Sequence, residues 1–160
     1  MSRQATRGFV VAAISAFALS VNPATGWADG GRLGLGLVIG QPTGASAQLR
    51  LDGPGLGSAL NIAVGLDVFD DFELYGHVDY VVVLGTLMRT RGYQLPLYLG
   101  VGAFAVAGAD PEAGLRAPLG IQLELDAAPV HAFVEIAIEL EIVDGPDVGL
   151  GGAIGARYFF

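Results

Sequence analysis

Two histidines and sixteen acids are the residues of this 160-residue chain that could do chemistry, and their spacing is informative. The stretch "HVD" sets His77 and Asp79 two positions apart, which puts both side chains on one face of an extended strand. With His131 they would form a two-histidine, one-carboxylate set of the kind that binds transition metals. Strand alternation alone produces the same spacing, so no metal or cofactor is expected. Asp70, Asp71, Asp110, Glu112, Asp144 and Asp147 are acids of the hard-oxygen type that calcium and magnesium take. They follow no EF-hand or repeat pattern and read first as solvated loop charge. Beyond residue 28 the serines are Ser46 and Ser58, with no G-x-S-x-G elbow, and Ser46 reads as a neighbour of a Gly-rich turn. No nucleophile, base and orienting group can be assembled, and an enzyme is not expected.

These residues are carried by apolar alternation with a period of two. In "RLGLGLVIG" Leu33, Leu35, Leu37 and Ile39 share a face. In "LNIAVGLDVF" Leu60, Ile62, Val64, Leu66 and Val68 oppose Asn61 and Asp67. In "FELYGHVDYVVVL" Phe72, Leu74, Val78 and Tyr80 oppose Glu73, Tyr75, His77 and Asp79. In "VHAFVEIAIELEIV" Val134, Ile136, Ile138, Leu140 and Ile142 oppose Glu135, Glu139 and Glu141. The same alternation runs through "AQLRLD", "LPLYLGVGAFAVA", "APLGIQLELDA" and "VGLGGAIGARYFF", which makes eight segments. A turn of 180° per residue is the mark of strands. The even count suits a closed antiparallel up-and-down barrel. The expected fold class is all-β, an eight-stranded antiparallel up-and-down transmembrane β-barrel.

Either face of such a barrel could be the outer one. Gly-rich strands with no lysine make a poor solvent exterior, which is ordinarily rich in mixed charge. The polar face is therefore expected inside. It gathers Arg50, Glu73, His77, Asp79, Arg116, Glu124, Glu135, Glu139 and Arg157, with Asn61, Asp67, Gln122, Asp126, His131 and Glu141 beside them. Eight strands enclose room for side chains only, so these charges must be paired. A salt-bridge plug around Arg50, Arg116 and Arg157 is expected.

Composition points the same way. The chain has no cysteine, so neither a disulfide framework nor a thiolate metal site is available. Arg3 and Arg7, the apolar run "GFVVAAISAFALSV" and small residues Gly26 and Ala28 form the three-part pattern of a secretory signal peptide, expected to be cleaved after Ala28. Residues 29–160 would then form one outer-membrane β-barrel domain. They carry six arginines against sixteen acids, a net charge of −10, which argues against nucleic acid as a partner. The links "FDDF", "GADPEAG" and "VDGPDV" make one rim acidic. The links "DGPGLG", "GTLMRTRGYQ" and "DAAP" at the other end are neutral to basic.

Taken together, "GLGLVIGQPTGASAQLRL", "YGHVDYVVV", "LPLYLGVGAFAV", "GLRAPLGIQLEL" and "VHAFVEIAIELEIVDGPDVGLGGAIGARYFF" resemble a family of short bacterial outer-membrane β-barrels of unassigned function. That family is similar to the transmembrane domain of outer membrane protein A. The resemblance brings no catalytic residue. It implies residence in the cell outer membrane and contact with outer-membrane lipid. It also implies that Tyr158 and Phe160 form the signal read by the barrel-assembly machinery. The expected role is structural or at the surface, in a monomer with a plugged, charged interior. The alternatives are an acidic rim that binds divalent cations or an extracellular partner, and a narrow cation-selective channel.

Overall fold

The computed structural model describes residues 31–51, 57–67, 73–108, 111–143 and 146–160. The expected leader, residues 1–28, and Asp70, Asp71, Phe72, Asp110 and Asp144 lie outside them. Eight strands run in chain order: β1 Leu33–Gly40, β2 Thr43–Leu51, β3 Ser58–Leu66, β4 Leu74–Arg89, β5 Tyr93–Ala107, β6 Glu112–Leu125, β7 Val130–Glu141 and β8 Asp147–Phe159. Each pairs antiparallel with the next, and β8 returns to β1, so the sheet closes. The closing seam runs from Gly34↔Phe159 to Gly40↔Ala153, and Phe160 N donates to Leu33 O at 2.9 Å. An apolar terminal segment is held here by a full ladder to the first strand.

The register fixes the dimensions. A circuit that leaves β2 at Leu51 passes Ser58, Val82, Leu99, Leu119, Ile136 and Gly152. It comes back to Gln41, whose N donates to Gly152 O at 3.0 Å, ten residues from its start. Eight strands with that stagger tilt by about 40° and set the wall about 8 Å from the axis. Long side chains from opposite walls therefore meet at the axis.

The two faces separate by chemistry. Leu35, Ile62, Val78, Val101, Leu119, Ile136 and Ile154 point outward and are exposed. Asn61, His77, Asp79, Arg116, Gln122, His131, Glu135, Glu139 and Arg157 point inward and are buried. Among the described residues no charged side chain stands on the outer face of the wall. The polar-inside assignment holds, and a barrel with its polar face in water does not describe this chain.

The interior glycines have a specific use. Tyr98 faces Gly120, Phe104 faces Gly114, Phe133 faces Gly155 and Phe159 faces Gly34 directly across strand pairs. A Cβ on any of these glycines would run into the ring opposite. Each ring thus lies flat over its neighbour's bare backbone, the cross-strand pairing of glycine with an aromatic that also pins register. Gly40 is different: its φ of +130° at the β1–β2 turn is a conformation that L side chains rarely adopt.

Three sequence expectations change. The stretch "GTLMRTRGYQ" reads as a long link, but β4 runs to Arg89 and β5 starts at Tyr93. Irregularities between Val83 and Gly85 and between Thr86 and Met88 keep the ladder going, as bulges do. Thr90 Oγ1 caps the remaining turn by accepting from Gly92 N and Tyr93 N, both at 3.3 Å. Ser46 is no turn neighbour; it lies inside β2 with its side chain in the lumen. Asp126 follows β6 and is exposed on the β6–β7 turn instead of facing inward.

Candidate functional site: the charged interior

Arg116 of β6 is the hub of the lumen. Its register partner on β7 is Glu139, and on β5 it is Gly102, whose own partner on β4 is Asp79. Because Gly102 carries no side chain, Arg116 and Asp79 meet across it; a Cβ there would collide with the Asp79 carboxylate. Arg116 Nη2 donates to Glu135 Oε1 at 2.7 Å, and Nε lies 3.5 Å from Asp79 Oδ1. Nη1 touches His77 Nδ1 and lies 3.9 Å from Glu139 Oε1. Two tyrosines complete the cluster: Tyr75 OH donates to Glu139 Oε1, and Tyr98 OH donates to Glu135 Oε2 at 2.7 Å. Tyr75 and Asp79 are fully buried. Charges at this depth persist because each faces an opposite charge or a donor.

Of the other two arginines, Arg50 keeps a carboxylate partner and Arg157 departs from the expected plug. Among the described residues Arg157 makes no ion pair within 4.0 Å. Its guanidinium stacks on Phe133 at 3.9 Å, and its Nε donates to Ser46 Oγ at 2.9 Å. A cation over an aromatic face is stabilised by the ring quadrupole, so Phe133 takes the place of a carboxylate. Arg50 sits half-buried at the mouth that carries the β4–β5 turn. It lies 4.2 Å over Phe159, 3.9 Å from Glu124 and 3.1 Å from His131 Nε2. Gln122 bridges this group to the centre, 2.5 Å from His131 Nδ1 and 3.4 Å from Gln48, which donates to Asn61 at 2.8 Å.

The lumen residues expected from sequence therefore divide into three groups. His77, Asp79, Arg116, Glu135 and Glu139 form the central cluster. Arg50, Glu124 and His131 form a second cluster at one mouth, with Arg157 between the two. Glu73 lies beside Gly108 at the opposite, acidic mouth. Ser46, Tyr75, Tyr98, Phe104, Phe133 and Phe159 belong to the interior too and were not singled out as site residues. Their inward parity was readable; their partners on other strands were not.

Of the acidic rim, Glu112 and Asp147 are described, and both begin strands rather than standing in links. With Gln41, Tyr75, Glu139 and Glu141 they line a cavity of about 230 Å³ that opens at that mouth. Its floor is the Tyr75–Glu139 pair of the central cluster. The metal set suggested by sequence also changes. His77 and Asp79 come within 4.8 Å of a third ligand, but that ligand is Glu135, not His131. Arg116 touches all three, so a guanidinium already supplies the positive charge a metal would bring.

Fold and interior define a class: a closed eight-stranded antiparallel barrel with a buried charged network at its centre. No family model, no curated protein and no solved structure matches the chain. The family resemblance therefore rests on the residues quoted above.

Proposed function

We propose that this chain is an integral outer-membrane β-barrel with a structural or surface role, monomeric and non-catalytic. In this reading residues 1–28 are a cleaved leader, and the barrel-assembly machinery inserts the rest by recognising Tyr158 and Phe160. The observation that carries the proposal is the outer face. Along β7 it presents Val134, Ile136, Ile138, Leu140 and then Ile142, and along β8 Val148, Leu150 and Ile154. The β7 row covers about 20 Å of height at the strand tilt and the β8 row about 15 Å beside it, which fits within the roughly 25 Å apolar band of such barrels. A water-facing protein rarely exposes a continuous apolar surface beyond a few hundred Å². Phe160 is 64% exposed and edge-on to Tyr158 at 4.9 Å, an aromatic pair at the end of the closing strand. The packed lumen supports a plug over an open channel, because facing side chains already occupy the axis.

The test is electrophoresis of outer-membrane fractions in mild SDS, unheated and boiled. A folded barrel in that fraction migrates differently before boiling, and a chain lacking Phe160 shows a weaker folded band. Recovery in the soluble fraction with no shift would overturn the proposal. A second reading, divalent-cation binding at the acidic mouth, is favoured by the cavity between Glu112, Glu139, Glu141 and Asp147. Calcium retention unchanged in the Glu141→Gln/Asp147→Asn double variant would remove it.

A further inference from the structure

The tip of the β4–β5 hairpin carries two arginines in an otherwise strongly acidic chain. β3 follows β4 as far as Ser58↔Val82, and Val83 N donates to Gly57 O at 3.0 Å. β4 then continues to Arg89, held along this stretch by β5. Beyond Gly85 the side chains of Thr86, Leu87, Met88 and Arg89 are all exposed, Met88 on the outer face and Arg89 on the side of Gln94, its register partner, so both faces of the hairpin are uncovered where it rises past β3. Leu84, Leu87 and Met88 are 50%, 59% and 49% exposed. Arg89 and Arg91 crown this apolar stretch, and neither side chain has an ion-pair or hydrogen-bond partner among the described residues. Among the described residues Asp126 stands next to the turn, its N donating to Gly92 O at 3.0 Å, and Glu124 is tied to Gln94, which donates to it at 2.5 Å. Elsewhere Arg116 and Arg157 are buried in the lumen, Arg50 is shared with Glu124, and exposed Arg32, just before β1, has an interaction of its own.

An exposed arginine pair directly above exposed leucine and methionine has the polarity of a membrane interface, with apolar residues at acyl depth and cations at the phosphates. We propose that the β4–β5 hairpin is an anionic phospholipid contact: Arg89 and Arg91 hold lipid phosphate at the end of the barrel that carries the β1–β8 seam ends Leu33 and Phe159. This rests on the membrane reading above. Charge complementarity selects the occupant, since in a strongly acidic chain this tip carries two exposed arginines without a described ion-pair partner. The hairpin orients the barrel and enriches anionic lipid around one rim.

The absence of cysteine from the chain makes the test direct. Leu87→Cys or Thr86→Cys carries a single environment-sensitive fluorophore at the hairpin, and Val101→Cys carries one on the wall. Each protein is reconstituted into phosphatidylcholine vesicles containing a minor fraction of brominated phosphatidylglycerol or brominated phosphatidylcholine. At the hairpin, the anionic quencher is expected to act severalfold more strongly, and 0.5 M salt or Arg89→Gln/Arg91→Gln to abolish that difference. At Val101 both quenchers act alike. Equal quenching by the two lipids at the hairpin, with the wall probe quenched, overturns the inference and leaves the membrane reading standing. A wall probe quenched by neither lipid overturns both.

Discussion

Replacing Arg116 with methionine is expected to destabilise the barrel by about 3–5 kcal/mol, the cost of leaving buried charges without their partner. The geometry gives the reason. Arg116 has a side chain 2% exposed and faces Asp79, Glu135 and Glu139, with distances of 3.5, 2.7 and 3.9 Å. Methionine fills similar volume, so the loss is electrostatic rather than a cavity. The measurement is the urea midpoint of the folded electrophoretic band for protein in vesicles. Adding Asp79→Asn and Glu135→Gln to Arg116→Met is expected to restore most of the stability, because amides do not require a counter-charge. A single variant within 1 kcal/mol of the parent would mean that water, not Arg116, neutralises the cluster. Arg157→Met is the instructive contrast. Among the described residues Arg157 has no carboxylate within 4.0 Å, and its removal costs a stacking contact and one hydrogen bond, so its effect is smaller.

The second large effect belongs to the outer face. Ile136 lies mid-wall on β7, opposite Leu119 and Gly152, and is 54% exposed. Ile136→Arg touches nothing in the lumen. If the wall faces lipid, the substitution is expected to cost about 2–4 kcal/mol, as a charge placed at bilayer depth does in outer-membrane barrels. If the wall faced water, a half-exposed position of this kind would tolerate it within about 0.5 kcal/mol. Unfolding of the parent and the variant in the same vesicles separates the two. A variant as stable as its parent would sink the membrane reading while leaving the barrel itself intact. Arg116→Met and Ile136→Arg therefore probe independent halves of the account, one the interior and one the surroundings.

Much of the central cluster could be named before any strand was paired. His77 and Asp79 share a strand face by parity, as do Glu135 and Glu139, and parity needs no partner strand. Where sequence reasoning stopped is equally specific. It assigned all three arginines to carboxylates, yet Arg157 stacks on Phe133, which needs β7 and β8 side by side in a particular register. It offered His131 as the third ligand beside His77 and Asp79, but the stagger puts Glu135 there and sends His131 to the mouth with Arg50. It ended the fourth strand at the "GTLMRTRGYQ" link, because bulged strands lose strict alternation and then resemble loop.

Alternation alone determined that this chain forms eight strands with an apolar and a polar face, since successive side chains on a strand must point to opposite sides. That property is local, and every residue carries its share of it. Which inward groups touch was decided only by closure. The ten-residue stagger sets tilt and radius together, and those bring Arg116, Asp79 and Glu135 from three strands to one point on the axis. A stagger two residues different would keep both faces and every strand, and would give the arginine other partners.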